Sequence, residues 1–162
     1  MSRDNKQNSC FRWLVTGLAI LLLAACVKNP PLPPPQARTQ VNIEIKTAAD
    51  INQDLSGRPS PLALRIFQLK TGSPFNNSDF ISLYEKDTSI LGNDLLKKDE
   101  IVLQANEKHA MSLAIEKDVS VIGVMALFRD YEQAKWRASV TITPQKTNQI
   151  NINISGTSLT VQ

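Results

Sequence analysis

The chain has 162 residues, 42% of them hydrophobic, with 18 basic and 15 acidic side chains, a net charge of +3 and a single histidine. Once a short N-terminal segment is set aside, that is enough for one domain with one core. One histidine and two cysteines leave too few ligands for a zinc site, and charges this evenly balanced give no surface for nucleic acid.

The N-terminus reads as a targeting segment. Arg3, Lys6 and Arg12 form a basic region opposed only by Asp4, and Trp13 to Ala25 is an apolar run of 13 residues. That length suits a signal peptide and falls short of the roughly 20 residues needed to span a bilayer. It closes on Leu23-Ala24-Ala25-Cys26, the pattern of a bacterial lipoprotein, in which cleavage falls between Ala25 and Cys26 and the thiol receives a diacylglycerol. An ordinary secretory signal with a chance cysteine, or an uncleaved anchor, are the competing readings. Bacterial lipoproteins typically carry three acyl chains, and several chains hold a membrane firmly where one holds it marginally. Val27 stands where an inner-membrane lipoprotein usually has aspartate. The expected location is therefore the inner leaflet of the outer membrane, facing the periplasm.

Removal of residues 1–25 takes Cys10 with it and leaves 15 basic against 14 acidic groups. The mature chain then has no free cysteine for a disulfide or a thiolate metal site. No cofactor is expected beyond the covalent lipid on Cys26, and neither nucleic acid nor a small-molecule substrate is expected as a partner. Residues 26–39 carry Pro30-Pro31-Leu32-Pro33-Pro34-Pro35, which favours polyproline II and makes neither helix nor ladder. Such a tether reaches up to roughly 40 Å at ~3.1 Å per residue; the alternative is a docking peptide for a proline-reading domain.

Residues 40–162 show alternation of period two. Val41, Ile43 and Ile45 begin it; Met111, Leu113 and Ile115 repeat it, as do Trp136, Ala138, Val140 and Ile142, then Ile150, Ile152 and Ile154, and finally Leu159 and Val161. Leu62 to Leu69 and Ile101 to Leu103 add two further strands, while Val119 to Phe128, apolar on both sides, reads as a central strand covered on its second face. Short half-buried strands joined by turn-rich loops predict a mainly β chain folded as an antiparallel β-sandwich. Lys97-Lys98-Asp99-Glu100 reads as a solvated turn.

One stretch has helical spacing instead. Asn77 or Ser78 can cap a helix, Asp79 suits its first turn, and Phe80, Leu83 and Tyr84 form one apolar face. This short helix is expected against a sheet edge or end, with Ser89 to Leu96 as a second turn or an extended loop.

The connection from Ala48 to Ser60 is longer than a hairpin needs, and such connections are often functional. Ile51 and Leu55 are spaced i and i+4 within it. They form either a one-turn helix tucked into the sandwich or an exposed anchor for a partner, with Asp50, Asn52, Gln53, Asp54 and Arg58 as a polar rim. No catalytic constellation is present: His109 sits in an apparent turn, and there is no phosphate loop, HExxH or nucleophile elbow. Arg129-Asp130 and Trp136-Arg137 read either as a partner-facing signature or as a turn between strands, with Asp130 answering an arginine and Trp136 anchoring the core.

The ordered set Arg58-Pro59-Ser60-Pro61 through Leu69, Asp79-Phe80-Ile81-Ser82-Leu83-Tyr84, Leu91-Gly92-Asn93-Asp94-Leu95-Leu96, Phe128-Arg129-Asp130 and Ala134-Lys135-Trp136-Arg137-Ala138 resembles the TssJ (VasD, SciN) lipoproteins of the bacterial type VI secretion system. The resemblance implies a transthyretin-like sandwich with a short added helical element and a non-enzymatic role. It further implies binding to the periplasmic domain of TssM, with TssL in the same complex, so that outer and inner membranes are linked in support of protein secretion. In that family the loop between the first two strands is a main TssM contact. The corresponding residues here are Asp50, Ile51, Asn52, Gln53, Asp54, Leu55, Ser56, Gly57 and Arg58. A periplasm-facing lipoprotein carrier or inhibitor on the same sandwich is the alternative, and would need an exposed apolar groove.

Overall fold

The structure, a computed structural model, describes residues 38–162. The signal segment, Cys26 and the proline run lie outside the described residues. Eight strands follow in order: β1 (Gln40–Thr47), β2 (Leu62–Leu69), β3 (Leu95–Leu103), β4 (Lys108–Ala114), β5 (Val121–Ala126), β6 (Arg137–Thr141), β7 (Thr147–Ser155) and β8 (Ser158–Val161). Between β2 and β3 lie two helices, α1 (Ser73–Asn77) and α2 (Phe80–Leu91), and a 3-10 turn, Gly92–Asp94. The strands form two four-stranded sheets, ordered β4-β1-β7-β8 and β3-β2-β5-β6. The chain is thus a mainly β sandwich. One pairing departs from the antiparallel expectation: β1 and β7 run parallel, in register from Gln40 opposite Thr147 through Thr47 opposite Ile154. These strands are far apart in sequence, so no hairpin dictates their direction.

The period-two residues meet between the sheets. Val41, Ile43, Ile45, Leu113, Ile150, Ile152, Ile154 and Leu159 from the first sheet face Leu62, Leu64, Ile66, Leu103, Ile122, Val124 and Ala126 from the second. Each such aliphatic side chain removed from water contributes about 1.5–3 kcal/mol before entropy is counted. Gln68 is the polar exception on this inward face. It is fully buried, donates from Nε2 to the Ala114 carbonyl and accepts the Glu116 amide at Oε1, both at 2.9 Å, and so ties the two sheets together at one end.

A second core lies on the outer face of the β3-β2-β5-β6 sheet. Phe67, Leu69 and Met125 point away from the sandwich and are covered by Phe75 of α1 and by Phe80, Leu83 and Leu91 of α2. The helical layer therefore packs on a sheet face, correcting the expected edge or end. The reason is legible in β5 and the second half of β2, where outward Phe67, Leu69 and Met125 are as apolar as their inward neighbours, so water must be excluded from both sides. Gly123 permits the close approach: a Cβ there would sit 3.0 Å from Leu69 and 3.1 Å from the Phe75 ring.

Three local expectations change. Asp79, and neither Asn77 nor Ser78, caps α2 by accepting the Ser82 amide at 2.9 Å, which holds its carboxyl below the usual range. The helix runs for 12 residues, preceded by the separate turn α1. The stretch Leu95 to Glu100 is strand and not loop or turn, paired with β2 through Arg65–Glu100 and Phe67–Lys98; the lysines and carboxylates lie along an edge strand, where charge discourages pairing with other chains.

Those charges also fasten α2. Lys86 breaks the helix at φ −136, ψ 34, and the carbonyls of Leu83 and Tyr84, which a continuous helix would pair with the amides of Asp87 and Thr88, accept from Arg65 Nη1 at 3.5 and 2.9 Å. Arg65 Nε donates to Glu100 at 2.7 Å, and Asp87 receives Lys98 Nζ at 2.7 Å and Arg65 Nη1 at 3.4 Å. Burial pushes the Asp87 carboxyl up, but bonds from Lys98 and the Thr88 hydroxyl outweigh it and leave the pKa lowered. A depressed folded pKa contributes stability above the unfolded value and loses it as pH falls through the folded one. The melting temperature is therefore expected to drop below about pH 4, and Asp87→Asn should flatten that acid limb while lowering stability at pH 7. Calorimetry across pH 2.5–7 checks it; an unaltered acid limb in the variant would remove Asp87 from the account.

Candidate functional site

Strand β1 enters the domain at Gln40 and runs eight residues to Thr47, about 25 Å at ~3.3 Å per residue. The loops at its far end form the candidate site. Thr47 and Ala48 start it: Thr47 Oγ1 donates to the Gln104 carbonyl at 2.6 Å, and the Asn106 amide donates to the Ala48 carbonyl at 3.2 Å. This fixes the β1–β2 loop to the β3–β4 turn. On another side Asp50 Oδ1 accepts the Gly156 amide at 3.1 Å and the Ser155 hydroxyl at 3.3 Å, while the Asn52 amide donates to the Gly156 carbonyl at 3.0 Å. The loop is thereby joined to the β7–β8 turn.

Ile51 and Leu55 do not share a helical face. Ile51 is fully buried in the sandwich core, whereas Leu55 is fully exposed at 105%. Asn52, at φ 47, takes a left-handed conformation that interrupts any helix and sends the two side chains apart. Of the residues singled out in this loop, Ile51 and Asn52 are turned inward; Asp50, Gln53, Leu55, Ser56, Gly57 and Arg58 are exposed, and Asp54 is half-buried.

The tip is closed by Asp54. Its Oδ1 accepts the amides of Ser56 at 2.8 Å and Arg58 at 3.0 Å, and its Oδ2 accepts Arg58 Nε at 2.9 Å. The backbone adds Asp54 N–H to the Arg58 carbonyl at 2.8 Å, and Gly57, at φ 74, supplies the left-handed turn that an L side chain would strain. The Arg58 amide and guanidinium, with Ser56, hold the Asp54 carboxyl below its ordinary value against a smaller desolvation effect, and the Arg129 guanidinium adds to this. Leu55 is thus presented on a ring of hydrogen bonds that it does not itself help to form.

The neighbouring β5–β6 connection holds the second motif. Trp136 bridges the two cores, edge-on to Phe80 at 5.2 Å, and Phe80 stacks on Tyr131 at 4.4 Å. Arg137 lies over the Trp136 ring at 4.8 Å, and its Nη1 donates to the carbonyls of Phe75 and Ser78, capping α1. This is the structural role among the two readings. Asp130 is exposed and, among the described residues, forms no ion pair with an arginine, so that part of the turn reading is corrected. His109 sits within β4 opposite Ile45 and not in a turn; its Nδ1 lies 3.7 Å from Glu107.

Among the described residues, no group of three or more His, Cys, Asp or Glu side chains could hold a metal ion, and no helix is long and apolar enough to cross a membrane. An open groove of about 860 Å³ lies at the opposite end from Leu55, floored by Leu113, Ile115 and Val119 and rimmed by Glu116, Lys117 and Asp118.

Two sheets, a helical layer on one of them and loops interlocked by hydrogen bonds define a β-sandwich domain, and Leu55 is the most exposed of the large apolar side chains among the described residues. The chain belongs to the type VI secretion lipoprotein family that includes VasD, EvfM, TssJ and VC_A0113, whose model matches residues 39–157. The family is a structural component of the secretion system and not a family of enzymes. The fold is similar to the lipoprotein TssJ1 from Pseudomonas aeruginosa, at 27% identity over 77% of this chain and 95% of that one, with a TM-score of 0.74. It is similar also to Serratia marcescens Lip, a membrane-bound component of the type VI secretion system, at 21% identity over 76% and 96% with a TM-score of 0.70. A chain of a type VI membrane complex matches at 25% identity over 77% and 98%, with a TM-score of 0.68. No curated protein matches the chain significantly.

Proposed function

We propose that this protein is anchored by acyl chains on Cys26 to the inner leaflet of the outer membrane, after cleavage of residues 1–25, and binds the periplasmic domain of TssM through the β1–β2 loop. In this reading residues 26–39 are the tether and residues 40–162 the docking domain. TssM, with TssL in the same assembly, then carries the link to the inner membrane. The observation that supports it most is Leu55: fully exposed at 105%, yet seated on a tip closed by four polar contacts between Asp54 and Arg58. An exposed leucine on a rigid support loses little conformational freedom when it enters a pocket. The polarity of β1 agrees, since the chain enters at Gln40 and the loop lies beyond Thr47 at the other end, away from the tethered side.

The test uses the full lipidated chain in detergent against the purified periplasmic region of TssM. Binding at micromolar concentration or tighter is expected. Failure to bind, together with uptake of an apolar ligand in the Leu113–Val119 groove, would favour the carrier reading. Cys26→Ser should abolish acylation and leave the protein out of outer-membrane fractions, because each buried CH₂ of the lost chains contributes about 0.8 kcal/mol. Continued attachment of that variant, read by membrane fractionation and mass spectrometry, would overturn the anchor.

A further inference from the structure

We propose that Asn52 is a positioning residue that locks the β1–β2 loop to the β5–β6 connection, so that Leu55 and Arg129 meet a partner as one composite surface. The inference rests on the docking role given to the β1–β2 loop above and extends it to a segment outside that loop. Asn52 is 7% exposed and is held at φ 47. Both ends of its amide are used across segments: Nδ2 donates to the Pro61 carbonyl at 2.8 Å, and Oδ1 accepts the Arg129 amide at 2.9 Å. Its own N–H is held by Gly156 at 3.0 Å.

One buried side chain therefore fixes two pieces of backbone, the exit of its own loop and the Arg129 position, and the backbone N–H of the same residue holds the β7–β8 turn. Asparagine suits the place because it tolerates the left-handed region and carries both a donor and an acceptor. Alanine would strain the backbone and leave the Pro61 carbonyl and the Arg129 amide without these partners.

Arg129 is exposed, and its charge reaches Asp54, which Arg58 already engages. The hydrogen-bonding capacity of that carboxylate is largely taken up by Ser56 and Arg58, while Asn52 pins the Arg129 backbone to the same loop. The complement of this surface is an apolar cup for Leu55 with a carboxylate on its rim for Arg129. Arg129, which the turn geometry alone does not explain, is thereby given a role.

The experiment measures affinity of the full chain for the periplasmic region of TssM, together with amide hydrogen exchange. Leu55→Ala, Arg129→Ala and Asn52→Gly are each expected to weaken binding, by about tenfold for Leu55 and by about threefold to tenfold for the others. Glycine at 52 keeps the left-handed backbone accessible, so the variant should fold, and it should accelerate exchange at the Arg129 amide. Asn52→Asp keeps the acceptor for that amide and should restore its protection and part of the affinity. Because Asn52 acts through Leu55, Leu55→Ala should cost less in the Asn52→Gly background than in the native chain. Unchanged affinity in Arg129→Ala with a loss in Leu55→Ala would overturn the composite surface and leave the loop reading standing. Additive effects of Asn52→Gly and Leu55→Ala would overturn the positioning role. No loss in any variant, including Leu55→Ala, would sink the loop reading itself.

Discussion

Leu55→Asp is expected to weaken binding to the periplasmic region of TssM by about 100-fold or more while leaving the melting temperature of the free protein unchanged. The first half follows from what the partner would have to accept. Full burial of a leucine side chain contributes about 1.5–3 kcal/mol, and that gain disappears. The carboxylate put in its place would have to be dehydrated in a pocket shaped for an aliphatic group, a further penalty of several kcal/mol unless a cation moves to meet it. Every 1.4 kcal/mol is about tenfold in affinity. The second half follows from exposure: the side chain is fully exposed, and the tip is closed by Asp54, Ser56, Gly57 and Arg58 without it. Surface changes of this kind normally stay within about 0.5 kcal/mol. Titration calorimetry paired with thermal denaturation separates the two effects. Native-like affinity in a folded Leu55→Asp variant would mean that the partner does not touch this tip.

Phe75→Ala is expected to lower the unfolding free energy by about 3–5 kcal/mol, a large share of the roughly 5–15 kcal/mol available to a domain of this kind. The ring is fully buried, 5.4 Å from that of Phe67, and rests on the space left by Gly123. It belongs to a helix of only five residues, too short to persist by itself. Without the ring, α1 has no apolar contact to the sheet, and the carbonyls of Phe75 and Ser78 that Arg137 bonds lose their fixed position. Urea denaturation monitored by tryptophan fluorescence reads the change. A loss below about 1 kcal/mol would show that the site collapses at little cost, and that the helical layer is dispensable to the sandwich.

How far each feature could be read from the chain depends on whether its cause is local. Alternation in Val41-Asn42-Ile43-Glu44-Ile45 and in Ile150 to Ile154 specifies strands because a residue's neighbours two places away share its face; β1 and β7 lie where that pattern puts them. The doubly apolar run around Ile122-Gly123-Val124 likewise marks a strand covered on both sides. Asp79 as the cap was missed by one or two residues, since Asn77, Ser78 and Asp79 are all competent and only the path from α1 selects among them. The strand character of Leu95 to Glu100 was hidden by its charges, which belong to an edge and to the partners Arg65 and Asp87 on other elements.

In the loop, spacing alone put Ile51 and Leu55 together, and the fold sends them to opposite environments through the backbone of Asn52. Composition and periodicity by themselves determined that this is a β-sandwich with a helical insertion and a long first loop, because hydrophobic burial acts on patterns carried by adjacent residues. Only the tertiary structure decided that β1 pairs parallel with β7, that the helices cover a sheet face, and that Leu55 is held out while the Arg129 amide is bonded to Asn52. Those outcomes depend on hydrogen bonds between residues as distant as Asp50 and Gly156 or Asn52 and Arg129, whose partners no local pattern names.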